Sequence, residues 1–142
     1  MSVLIDTPIW SLALRRKSTQ LSRTQRQQVD EWRTLVSDGR ARLTGIIRQE
    51  VLSGIRETRD FERLRERLAA FDDIPAETVD HERAAGFFYV CRARGITPGA
   101  LDVLICAVAA GHGLSIFTTD ADFERYAEVL PLRLHRAISA GR

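Results

Sequence analysis

Val3-Leu4-Ile5-Asp6-Thr7-Pro8 is the stretch on which the fold turns. Three apolar residues, then an acid, a hydroxyl and a proline, read as a short buried strand ending in a turn and a helix start, because proline is accommodated in the first turn of a helix. Helical patterns follow over Ile9 to Arg15 and from about Ser22 to Ser37, the latter with Val29, Trp32 and Val36 at helical spacing and Asp38-Gly39 as its stop. Arg42-Leu43-Thr44 is a weak second strand. Ile46 to Ile55 is a helix with Ile47, Val51 and Ile55 on one stripe, and a charged helix runs from about Asp60 to Phe71. Asp72 to Pro75 makes a short strand or connection, and Thr78 to Arg94 is helical up to Gly95. Thr97-Pro98 predicts the N-cap and first turn of a helix reaching about Gly111. Leu114 to Thr118 is the clearest strand after the first, Asp120 opens a short helix through Ala127, and Leu132-Arg133-Leu134 alternates like a terminal edge strand. Strands separated by helices predict an α/β fold, with a central, mainly parallel sheet of four or five strands between two helical layers.

The 142 residues have the length of a single domain, taken as 1–142, with 44% hydrophobic and 28% charged residues, values that exclude wholesale disorder. No apolar run approaches the ~20 residues that span a bilayer, and the N-terminus lacks a basic region followed by a long apolar stretch, so neither membrane insertion nor export is expected. Cys91 and Cys106 lie in apolar helical patterns and predict buried, reduced thiols in a cytoplasmic protein. The net charge of +2 does not by itself imply a nucleic-acid partner, although Lys17 is the single lysine and the remaining cations are arginines, whose planar forks suit phosphate and carboxylate.

Asp102 is the only ionisable residue between Gly95 and His112, inside Ala100-Leu101-Asp102-Val103-Leu104-Ile105-Cys106-Ala107-Val108-Ala109-Ala110. A helix apolar on every side is a buried helix, where an ionised carboxylate costs several kcal/mol without compensation. A helix N-terminus or a buried arginine would offset part of that cost, but a metal ion also accounts for the charge being there. Asp6 ends the first strand and Asp120 follows the Leu114 to Thr118 strand. Each alone reads equally well as a helix cap; on neighbouring strands of a parallel sheet they would converge where ligands bind. Glu50 is an acid beside the Ile47 and Val51 stripe. Acids without a His or Cys cluster suit a hard cation such as Mg²⁺ or Mn²⁺ rather than zinc. His81, His112 and His135 are scattered, and GxSxG, Walker and GxGxxG motifs are absent.

These residues resemble the PIN-domain nucleases, specifically the VapC-type toxins of bacterial toxin–antitoxin pairs, over nearly the whole chain. Val3-Leu4-Ile5-Asp6-Thr7 resembles the family's opening strand and first aspartate. Glu50 in Arg48-Gln49-Glu50-Val51-Leu52-Ser53-Gly54 resembles its helix-borne glutamate. Leu101 to Ala107 with His112-Gly113-Leu114 is similar to its second aspartate and the helix before its fourth strand, and Thr118-Thr119-Asp120-Ala121-Asp122-Phe123 to its closing acidic motif. The resemblance implies a three-layer α/β/α PIN-like fold and a Mg²⁺- or Mn²⁺-dependent endoribonuclease that uses water as nucleophile and leaves a 5′-phosphate and a 3′-hydroxyl. It also implies a homodimer and a cognate VapB-type antitoxin whose C-terminal segment occupies the acidic groove. Asp6, Glu50, Asp102 and Asp120 are then the catalytic metal ligands, with Asp122 in a supporting or second-metal role and Thr7 and Thr118 as polar neighbours. Arg15, Arg16, Lys17 and Arg48 are candidate RNA phosphate contacts, with a solvated charged face as the competing reading. The Arg56 to Arg67 stretch, which alternates acids and bases, reads as a self-paired surface rather than an RNA track. Trp10, Leu12, Leu14 and Trp32 are candidates for partner contact, with core packing favoured.

Two other classes remain open on the sequence. One is a metal-dependent DNA nuclease or phosphatase using the same acids; a haloacid-dehalogenase type is disfavoured because Asp6-Thr7-Pro8 lacks a DxD pair. The other is a non-catalytic acidic-pocket binding or signalling module, against which stands the position of Lys17, far from any late strand.

Overall fold

The computed structural model describes residues 1–137. Four parallel strands form the sheet: β1 (Val3–Ile5), β2 (Ala41–Thr44), β3 (Asp73–Ile74) and β4 (Ser115–Phe117), in the order β3-β2-β1-β4. The helices are α1 (Thr7–Arg15), α2 (Arg23–Ser37), α3 (Gly45–Ser53), α4 (Thr58–Leu68), α5 (Thr78–Ala93), α6 (Ala100–Gly111) and α7 (Asp122–Val129). A short 3-10 turn over Ser18–Gln20, which carries no sequence signal of its own, joins α1 to α2.

Val3, Leu4 and Ile5 are all fully buried. Successive strand residues face opposite sides, so burial of all three requires cover on both faces of the sheet, as expected for a parallel sheet between helices. β1 pairs with β2 on one side (Val3 with Ala41) and with β4 on the other (Ile5 with Phe117). Strand order therefore reverses at β1, and Asp6 emerges beside the carboxyl end of β4, with its N–H donating to Phe117 O at 2.9 Å. This is the crevice where parallel sheets bind ligands.

Trp10 anchors the start of α1. It is fully buried, donates from Nε1 to Ile5 O at 2.8 Å, and meets Trp32 and Phe71 edge-on at 5.7 and 4.9 Å between ring centroids. Trp10, Leu12 and Trp32 are core residues, and Leu14 is half-buried against that core. The glycine read as the stop of the second helix, Gly39, has φ +68°, which turns the chain directly into β2 at no Cβ cost.

Several boundaries differ from expectation. α6 begins at Ala100 with Gly99 as its N-cap, so Thr97 and Pro98 precede the helix instead of opening it. Its first turn is on the surface: Leu101 is 43% exposed, whereas Val103 to Ala109 are buried. The helix is apolar all round but buried only beyond its first turn. The terminal edge strand reduces to one bridge, Ile116 with Leu134, in which Ile116 N–H donates to Arg133 O at 2.9 Å and His135 N–H to Ile116 O at 2.8 Å, beside the side-chain contacts of His135 with buried Glu31 (2.6 Å) and Arg136 with Glu124. The Asp120 helix starts two residues later, at Asp122. Cys91 and Cys106 are buried free thiols. Among the described residues, no helix is long and apolar enough to cross a membrane.

Candidate metal centre

Asp6 occupies the N-cap position of α1 but makes no side-chain cap bond. Its Oδ2 instead accepts from Thr118 Oγ1 at 2.7 Å, linking the ends of β1 and β4. The same Thr118 oxygen accepts from Asp120 N–H at 3.0 Å, and Asp120 Oδ1 accepts from Asp122 N–H at 2.9 Å. Asp120 thus closes the turn ahead of α7, whose N-cap is Ala121, with its other oxygen outside that bond. Asp102 stands in the first turn of α6, half-buried, and its Oδ2 accepts from Tyr126 Oη at 2.7 Å.

The carboxylates of Asp102, Asp120 and Asp122 each offer an oxygen within 4.8 Å of the other two. Asp6 and Glu50 form no trio that tight among the described residues, but their charges reach it. The carboxyl of Asp6 is pushed up to about 6, chiefly by burial and then by the charges of Glu50 and Asp102, against hydrogen bonds that lower it. Glu50, half-buried on α3, is raised by desolvation and by Asp102. Asp102 is raised by burial and by Asp120 and Asp122, with Tyr126 opposing. Four separate parts of the chain therefore deliver acids to one rim of the sheet.

No positive side chain balances them: among the described residues none of these five acids forms an ion pair with Arg, Lys or His. The buried-arginine account of Asp102 is thereby removed. The helix N-terminus remains a partial one, worth ~0.3–1 kcal/mol. Thr7 Oγ1 is buried with no hydrogen-bond partner, although it lies near enough to Glu50 to favour its ionised form. An orphaned hydroxyl and unpaired carboxylates, all hard oxygen donors, fit a divalent cation of the Mg²⁺ or Mn²⁺ type.

Tyr126 carries no sequence signal for a role beside Asp102. A buried aromatic on a short amphipathic helix looks like core, and its only clue is that a buried phenol needs a hydrogen-bond partner. Burial and then the nearby acids drive its pKa far above the ordinary value, so it acts as a fixed donor. Of the candidate RNA contacts, Arg15, Arg16 and Lys17 are exposed. Arg48 is a correction. Its guanidinium bonds Asp73 (3.0 Å), Leu68 O (2.9 Å) and Phe71 O, so its donors brace α3 against the end of α4 and β3. The Arg56 to Arg67 stretch is a second correction: among the described residues its single internal pair is Arg65 with Glu62, and Arg56, Arg59, Arg63 and Arg67 form no ion pair.

Residues 3–129 match the PIN domain family. Ribonuclease VapC11 of Mycobacterium tuberculosis is 31% identical over 138 residues, covering 92% of this chain and 96% of that protein. Ribonuclease VapC51 of the same species is 34% identical over 96 residues, 67% of this chain and 70% of the relative. Among solved structures, FitAcB from Neisseria gonorrhoeae superposes with a TM-score of 0.74 at 22% identity, covering 94% of this chain and 96% of that one. VapBC2 from Rickettsia felis, bound to a DNA fragment from its promoter, gives 0.73 at 15% identity, covering 95% and 98%. With the family matched over residues 3–129 and a relative 31% identical over 92% of its length, the chain belongs to the PIN domain family.

Proposed function

We propose that this protein is a metal-dependent endoribonuclease that hydrolyses RNA phosphodiester bonds as the toxin of a VapBC-type pair. The observation that carries the reading is the convergence of acids from four parts of the chain with no cation to balance them. The relatives named as VapC ribonucleases support the activity, and the VapBC complexes among the structural neighbours support a cognate VapB-type antitoxin as partner.

Asp6, Glu50, Asp102 and Asp120 are the proposed ligands, some direct and some through water, with Asp122 supporting Asp120 or serving a second ion. Mg²⁺ or Mn²⁺, when bound, supplies Lewis-acid activation of the phosphodiester and of water. The chain supplies orientation: Thr118 fixes Asp6, Tyr126 fixes Asp102, and the Asp122 N–H fixes Asp120. Glu50, whose carboxyl is raised by burial and by the charge of Asp102, is assigned the role of taking the proton of the attacking water. Arg15, Arg16 and Lys17 are the proposed phosphate contacts. We propose a cytoplasmic homodimer; the reduced cysteines fit the first, and exposed Val79, Tyr89, Val90 and Leu101 offer an uncovered apolar surface for the second.

Incubating purified protein with RNA, DNA and a phosphomonoester, with Mn²⁺ or with chelator, tests the reading. The expected result is RNA cleavage that requires the metal. Cleavage confined to DNA or to the monoester would overturn it.

A further inference from the structure

An open groove of about 510 Å³ lies between the C-terminal ends of α1 and α3 and the helix α4. Five cations line it, Arg15, Lys17, Arg56, Arg63 and Arg67, against the two acids Glu57 and Asp60. None of the five forms an ion pair among the described residues. Both acids are accounted for by the fold, since Glu57 is the N-cap and Asp60 lies in the first turn of α4, where the helix dipole favours negative charge. The surplus of three positive charges has no such internal explanation.

Two of the cations are held in position. Arg15 Nη2 donates to Gly54 O at 2.8 Å and Arg67 Nη1 to Leu14 O at 3.5 Å. Gly54 is what lets the Arg15 guanidinium lie against the backbone, because a Cβ there would stand 2.6 Å from Nη1. Lys17, Arg56 and Arg63 are exposed and make no side-chain hydrogen bond among the described residues.

The groove opens from the far ends of α1, which follows Asp6, and α3, which carries Glu50. Arg15 stands eight residues, about 12 Å, along α1 from Thr7, and Gly54 four residues, about 6 Å, along α3 from Glu50. An acidic centre repels a polyanion, so affinity for one must come from binding remote from the reacting bond. Arginine forks match phosphate oxygens in geometry as well as charge. From this we infer that the groove holds the phosphodiester backbone of the RNA substrate a few nucleotides from the scissile bond. The inference rests on the ribonuclease reading and adds the substrate's path to it.

The test uses the full chain and a variant carrying Lys17→Ala, Arg56→Ala and Arg63→Ala, with a fluorescent single-stranded RNA 12-mer in chelator across a salt series. Losing three phosphate contacts is expected to flatten the slope of log affinity against log salt by about 2, at roughly 0.7 per contact. Affinity at low salt should fall tenfold or more, while melting temperature and its rise with Mn²⁺ stay those of the wild type. Unchanged slope and affinity in the variant would overturn the proposal. So would an oligoglutamate of equal charge binding the wild type as tightly as RNA, which would assign the groove to an acidic protein segment. RNA bound with the expected slope but never cleaved would support the groove and contradict the ribonuclease reading, so the two fail separately.

Discussion

Asp6 sits where a helix cap would sit yet its carboxylate accepts from Thr118 instead of capping α1. Asp102 has a similar arrangement, steered by the Tyr126 phenol. Asp102→Asn is expected to lower metal-dependent cleavage at least about 100-fold, the scale on which losing one preorganised charge-stabilising group slows an enzyme. Its melting temperature in chelator at neutral pH should be unchanged or higher, since a charge repelled by Asp120 and Asp122 has gone. Full activity in that variant would make Asp102 structural. Tyr126→Phe keeps the ring but frees Asp102, and Mn²⁺ titration should show affinity weakened about 10- to 100-fold, as for other groups that orient a ligand. Asp6 and Asp102 are legible in sequence because one ends and the other interrupts an apolar run, which is costly enough to demand a reason. Tyr126 is not, because nothing local distinguishes a phenol that steers a carboxylate from one that fills the core.

Elements with their own periodicity can be read from the chain; joints between elements cannot. α2 matches its expected range closely because Ser22 and Gln25 form a capping box and Gly39 follows its end. α6 begins later than Thr97-Pro98 promised, since a good local cap is only a preference until packing decides where the helix starts. Arg48 shows the limit most clearly: its partners include two backbone carbonyls 20 and 23 residues away, which no side-chain pattern announces. Arg48→Ala leaves Phe71 O and Asp73 without their arginine donor and Leu68 O with the Phe71 N–H alone, and is expected to cost about 2–4 kcal/mol, read as a lower urea midpoint. Metal affinity should be unchanged. A variant that kept its stability but lost RNA binding would return Arg48 to the substrate side.

On the scale of the molecule, parallel order was foreseeable from alternating strands and helices, while the reversal at β1 that brings Asp6 beside Thr118 is a matter of topology. A net charge of +2 conceals a separation of sign, with unpaired acids at the sheet rim and unpaired cations in the groove beyond α1 and α3. The acids also set a pH dependence. Burial pushes the Asp6 carboxyl up to about 6 in the fold from the 3.8 of a free side chain, so the metal-free fold holds that proton more tightly than the unfolded chain. The stabilisation is complete below the lower value and is lost as pH rises through the upper one, by about 3 kcal/mol for a shift of roughly two units. Melting temperature in chelator is therefore expected to fall over that window and to be restored by Mn²⁺ only at its upper end. A flat profile would contradict a buried Asp6 carboxyl that holds its proton more tightly in the fold than in the unfolded chain.

The central claim, that these acids share a divalent cation, is tested most directly by anomalous diffraction at the manganese edge from crystals soaked in Mn²⁺. The account expects a peak at the carboxyl end of β1 and β4, with at least one oxygen of the acidic group at about 2.2 Å, near the octahedral Mg²⁺ distance. It would be contradicted by the absence of a peak there at saturating Mn²⁺, or by Asp6 and Asp102 oxygens more than about 10 Å apart, too far for one ion to bridge.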